Sequence, residues 1–138
     1  MTLKILIFLL YSQSLPNLKN NEFDNNCFHI FINSLYSRDV LRKDIKFYYV
    51  NFKNPKDERL FLKKIKLKDK TFCFKKSKSF NYRNTLTINS ITQVKSENFV
   101  VDFVLNHYKG CSDFGTVQIG FLEGKPIFLD AHIINSIE

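Results

Sequence analysis

Ser96-Glu97-Asn98-Phe99-Val100-Val101-Asp102-Phe103-Val104-Leu105-Asn106-His107-Tyr108-Lys109-Gly110 is the stretch on which the fold turns. Phe99, Val100, Phe103, Val104 and Tyr108 recur at helical spacing. Ser96-Glu97 opens the run as a cap, and Gly110 stands where a helix commonly ends. The spacing predicts a helix, and a helix here makes the chain an α/β domain.

Upstream, Thr85–Val94 sets Leu86 and Ile88 against Thr85 and Thr87, the alternation of a strand. Thr71–Phe74 reads as a short strand and Ser77–Asn81 as a turn. Before them Asn54 caps a predicted helix with Pro55 at its first position and Asp57-Glu58 in its first turn. Leu60, Phe61, Ile65 and Leu67 form its apolar side, and lysines near its end suit the negative pole. Lys46–Phe52 alternates and is aromatic, a strand. Cys27–Arg42 recurs helically through Phe28, Phe31, Ile32 and Leu35, with a break at Ser37 before Val40 and Leu41. Leu15–Asn26 is a polar loop with Pro16 and five Asn. Ile5–Leu10 reads as a central strand covered on both faces. The other reading of Met1–Ser14 is a short leader peptide, which implies a lumenal protein.

Downstream, Thr116–Leu122 and Pro126–Ile133 flank Glu123-Gly124-Lys125 and predict a hairpin. The expected order is thus β-α-β-α-β-β-α plus a β-hairpin. Residues 1–109 make the α/β unit and 110–138 a C-terminal hairpin extension of the same domain. The first two strands should pair in parallel through a right-handed crossover, and the next two in antiparallel.

Phe47-Tyr48-Tyr49-Val50-Asn51-Phe52, Pro55 to Leu67, Lys70-Thr71-Phe72-Cys73-Phe74 and Phe99-Val100-Val101-Asp102-Phe103 follow one another in that order. This resembles the thioredoxin-like fold family over about residues 3–109, in the manner of a protein-disulfide-isomerase-type domain. Leu35-Tyr36-Ser37-Arg38-Asp39-Val40 is similar to the short motif of UAS domains, the non-redox members found in ubiquitin-pathway adaptors. Two departures exclude thiol–disulfide chemistry from what the resemblance implies. No Cys-x-x-Cys follows the first strand, where Tyr11 to Pro16 stand instead and Cys27 is the only nearby thiol. Lys70 occupies the place of the family's cis-proline before Thr71.

Charge is the strongest functional signal. The chain of 138 residues carries a formal net charge of +8. Within residues 63–83 lie Lys63, Lys64, Lys66, Lys68, Lys70, Lys75, Lys76, Lys78 and Arg83 against the single acid Asp69, so the excess is gathered in one stretch. Lysines neutralise phosphates, and Phe72, Phe74, Phe80 and Tyr82 lie among them as rings on which bases can stack. On the bland reading Phe72 and Phe74 fill the core while the lysines decorate a solvated edge.

Other chemistry has less to work with. Three scattered cysteines, Cys27, Cys73 and Cys111, are a poor disulfide framework and suit a reducing compartment such as the cytoplasm. Cys27-x-His29 and His107-x3-Cys111 are non-standard zinc half-sites. Cys111, His107 or His132, and Asp113 or Asp130 can be assembled on paper as nucleophile, base and orienter, yet nothing local marks an activated nucleophile. No glycine opens a helix after a strand to cradle phosphate. The expectation is a cytoplasmic, non-enzymatic binding protein without cofactor, metal, membrane or small-molecule substrate. Its expected partner is RNA or a ribonucleoprotein such as the ribosome; the alternative is a UAS-like protein–protein adaptor.

Overall fold

A computed structural model describes residues 22–58, 64–74, 83–95, 98–108 and 110–137. Helix α1 spans Asn25–Ser37 and is followed by β1 (Phe47–Phe52), a single turn α2 (Pro55–Glu58), β2 (Lys64–Leu67), β3 (Lys70–Phe74), β4 (Thr85–Val94), β5 (Asn98–Tyr108), β6 (Cys111–Leu122) and β7 (Lys125–Ile137). All seven strands join one sheet in the order β2-β3-β1-β4-β5-β6-β7. Strand β1 runs parallel to both β3 and β4, and every other neighbouring pair is antiparallel.

This curled, mostly β architecture is not the thioredoxin-like α/β fold that the sequence predicts. The decisive error lies at residues 98–108, a strand rather than the closing helix. Phe99, Val101, Phe103, Leu105 and His107 are buried while the residues between them are half-exposed, so the working period is two. Valines crowd the run, and β-branched side chains favour the pleated surface. The predicted helix from Asn54 to Leu67 is the second correction. Asn54 does cap a turn, its Oδ1 accepting the Lys56 N–H at 3.1 Å, but Lys64–Leu67 is a strand. Lys64-Ile65-Lys66-Leu67 alternates, and Lys68 turns the chain at φ 54° into β3. Nor do β3 and β4 pair with each other as expected, because β1 lies between them. The proposed first strand, Ile5–Leu10, and the turn Ser77–Asn81 fall outside the described residues.

The remaining elements follow the sequence more closely. Asp24 caps α1, its Oδ1 accepting the Cys27 N–H at 3.0 Å. Cys27, Phe28, Phe31, Ile32 and Leu35 make its buried side. The helix stops at Ser37, short of the predicted Arg42, and Val40 and Leu41 enter the core from the loop instead. The C-terminal hairpin forms with a tight turn in which Glu123 and Gly124 both have positive φ, 52° and 77°. At Gly115 β6 and β7 leave no room for a side chain, since a Cβ there would lie 1.9 Å from the His132 carbonyl oxygen.

Among the described residues, α1 covers the inner face of the sheet. Phe28 meets Phe72 and Phe74 on β3, Phe31 meets Phe103 on β5, and the Arg38 guanidinium lies over the Phe128 ring of β7. From β3 to β7 is five strand steps, about 24 Å on a flat sheet. Phe28 to Arg38 covers only about 15 Å of helix axis. The sheet must therefore curl around the helix to make these contacts. Among the described residues, no helix is long and apolar enough to cross a membrane.

Burial has its clearest titratable consequence at Cys27. The Cys27 thiol lies wholly within the core, and burial pushes it from 9.0 up to about 12. The folded chain thus holds a proton that the unfolded chain gives up. Stability should be intact below about pH 9 and fall as pH rises toward about 12, because the raised value favours the protonated native state. Urea unfolding of wild type between about pH 8 and about pH 10 should lose on the order of 1 kcal/mol more than the Cys27→Ala chain loses.

Candidate nucleic-acid interface and a buried polar cluster

Of the basic stretch, Lys64 and Lys66 lie on β2, the first strand of the sheet order, and Arg83 precedes β4, three strands away. Lys64 and Lys66 alternate with buried Ile65, so both project from the outer face, about 7 Å apart. Lys68 is exposed on the following turn, and Arg83 is exposed just ahead of β4. Lys63, Lys75, Lys76 and Lys78 lie outside the described residues, as do Phe80 and Tyr82. Among the described residues, the ion pairs are His107–Asp113 and His132–Asp130; no Lys or Arg is neutralised by a carboxylate. Asp69, the one acid of the stretch, instead accepts a hydrogen bond from the Tyr36 hydroxyl at 3.3 Å. Burial and that carboxylate both raise the Tyr36 phenol above its ordinary value. Lys68 lies 4.2 Å from the centre of the same ring.

Lys70 does not belong to this surface. It is 1% exposed and shares the inner face of β3 with Phe72 and Phe74. Its ammonium donates to the carbonyl oxygen of Arg42 at 2.5 Å and to that of Ile45. The Tyr36 and Tyr48 rings stand within 5.8 Å of it. The Arg42 N–H in turn donates to the Tyr48 hydroxyl at 3.0 Å, and the Ile45 N–H to the Arg42 carbonyl. Lys70 is the pin of the loop between α1 and β1. Phe72 is fully buried, stacked on Tyr48 with centroids 5.5 Å apart, and Phe74 stacks on Phe52 at 5.7 Å. The Phe72 ring serves the core and is unavailable to bases, while Phe74 is partly buried and packs against the core.

A second group of polar side chains lies where β5 passes into β6. His107 is 5% exposed, and its Nε2 lies 2.6 Å from Asp113 Oδ2. The other carboxylate oxygen of Asp113 accepts from Asn135 Nδ2 at 2.9 Å, linking β5, β6 and β7. His107 Nδ1 is buried without a hydrogen-bond partner. Cys111, 5% exposed, accepts a hydrogen bond from Arg42 Nη2 at 3.8 Å. The Arg42 guanidinium also lies 4.8 Å from the centre of the Tyr108 ring, and its hydrogen bond to Tyr108 holds it above its ordinary value.

Of the trio assembled on paper, the structure brings His107 and Asp113 into contact, whereas the Cys111 sulfur meets Arg42 and makes no hydrogen bond to His107. His132 and Asp130 pair with each other on exposed β7 at 3.1 Å, away from the thiol. Of the non-standard zinc pairs, Cys27 and His29 lie on α1, apart from His107 and Cys111 on β5 and β6. Among the described residues, no three metal-ligating side chains converge. Arg42 and Asn135 were missed. Arg42 has no sequence signal, whereas Asn135 faces Asp113 in the strand register and is legible only once β6 and β7 are aligned.

No protein-family model matches the chain, and no curated protein or solved structure does either.

Proposed function

We propose that this chain is an RNA-binding protein that seats on a ribonucleoprotein such as the ribosome through the β2 edge and the basic segment around it. The observation that carries the reading is the set of exposed, uncompensated cations Lys64, Lys66, Lys68 and Arg83 within a stretch that holds one acid. A phosphate backbone is the polyanion that such a surface attracts, and displaced counterions supply much of the free energy. Lys64 and Lys66 also guard the open edge of β2 against strand addition, a second use of the same charges. Binding needs no reaction at this surface, no metal and no cofactor. With Phe72 buried and Phe74 packed against the core, affinity comes from phosphate contacts more than from stacking on those rings, which favours shape and charge over base sequence. The adaptor alternative drew on a thioredoxin-like element order, which the mixed sheet replaces.

Sedimentation of native cell extract on a sucrose gradient tests the reading. The chain should travel with large ribonucleoprotein particles at low salt and return to the top after a high-salt wash. A chain that stays at the top of the gradient at low salt rules it out.

A further inference from the structure

The outer face of the sheet carries two aromatic rings that lie outside the core. Strand β1 alternates, so Tyr48, Val50 and Phe52 face inward while Phe47, Tyr49 and Asn51 face outward. Phe47 is 38% exposed, and Tyr49 is half-buried beside it. Their centroids lie 5.0 Å apart in an edge-to-face contact that holds the Phe47 ring in place. Strand register extends this pair across the sheet in two rows. Phe47 faces Thr71 on β3, which faces Lys66 on β2; Tyr49 faces Cys73, which faces Lys64. Ile65, between the two lysines, pairs with buried Phe72, so Lys64 and Lys66 share the outer face with the rings. Strands β1 and β2 are two steps apart in the sheet, about 10 Å. Within these rows only the short side chains of Thr71 and Cys73 stand between, and the long lysine stems reach over them. Neither row holds an acid.

We propose that this three-strand patch is a base-stacking site: single-stranded RNA lays a base on the Phe47 ring and its phosphates against Lys64 and Lys66. The inference rests on the RNA-binding reading and deepens it, from a charged edge to a face that selects unpaired strands. A lone exposed ring is ordinary on a protein surface. Two rings in register with two unpaired ammonium groups instead match the two halves of a nucleotide, the apolar base and the anionic phosphate. An unpaired base offers its π face to phenylalanine, whereas a duplex keeps that face within its own stack. Every base has such a face, so the contact adds affinity without fixing sequence. Tyr49 is a positioning residue that keeps the Phe47 ring upright on the sheet.

The test uses the full chain with two probes, labelled oligouridylate and inorganic polyphosphate, a polyanion that has no bases. Phe47→Ala should weaken oligouridylate binding about tenfold, while its affinity for polyphosphate matches wild type because the lysines are intact. The chain contains no tryptophan, so Phe47→Trp places a single reporter at the site. That variant should bind oligouridylate within about twofold of wild type, since the larger ring still stacks. Its emission should be quenched by oligouridylate and left nearly unchanged by polyphosphate. If Phe47→Ala unfolds, the Phe47→Trp emission decides. A folded Phe47→Ala chain that binds oligouridylate like wild type overturns this inference and leaves the charged-edge reading standing. So does a Phe47→Trp emission that RNA moves no more than polyphosphate does. A wild-type chain that does not bind oligouridylate overturns both.

Discussion

Lys70→Met is expected to lower the stability of the folded chain by about 2–4 kcal/mol, measured by urea unfolding. Methionine fills much the same space, so the loss reports the ammonium group. Lys70 donates to two backbone carbonyls, of Arg42 and Ile45, on a loop that otherwise has few internal hydrogen bonds. Each such bond to a charged donor is worth about 1.5–3 kcal/mol, offset in part because methionine removes the cost of burying a charge. Effects beyond stability should be local. The Arg42 N–H loses its fixed approach to Tyr48, and the guanidinium its fixed seat beside Cys111. RNA affinity of the molecules that remain folded should match wild type, because Lys70 does not reach solvent.

The triple reversal Lys64→Glu, Lys66→Glu, Lys68→Glu has the opposite profile. All three side chains are exposed and none is paired with a carboxylate among the described residues, so stability should stay within about 0.5 kcal/mol. Affinity for single-stranded RNA should fall by a factor on the order of 100 or more at physiological salt. Three phosphate contacts are lost, and three carboxylates now repel the same backbone. Fluorescence anisotropy with a labelled oligonucleotide reads the first effect, and urea unfolding reads the second. Charge on the surface and charge in the core are thereby separated within one hairpin, between Lys64 and Lys70.

That separation was within reach of the sequence, and its absence there is instructive. Lys70, Phe72 and Phe74 occupy alternate positions of one strand, so a buried Phe72 implies a buried Lys70. Net charge counts residues without asking which face they occupy. The strands β1, β3 and β4, the hairpin β6–β7 and most of α1 were legible because their patterns admit one period. Residues 96–110 were not, because Phe99, Val100, Phe103 and Val104 satisfy a helical stripe while Phe99, Val101, Phe103 and Leu105 satisfy a strand. Both templates fit, and tertiary pairing with β4 and β6 decides. Once that run is a strand, β1 can lie between β3 and β4. The trio of Cys111, His107 and Asp113 was visible by residue type alone. The structure joins only His107 and Asp113 of the three, beside a one-residue bulge that no pattern announces.

The most direct measurement is the salt dependence of RNA binding, the slope of log affinity against log salt concentration. Wild type and Lys70→Met should share one steep negative slope. The triple reversal of Lys64, Lys66 and Lys68 should be shallower by about 2, from about 0.7 per phosphate contact on a single strand. Equal slopes for wild type and the triple variant, or a wild-type affinity indifferent to salt, would contradict the account.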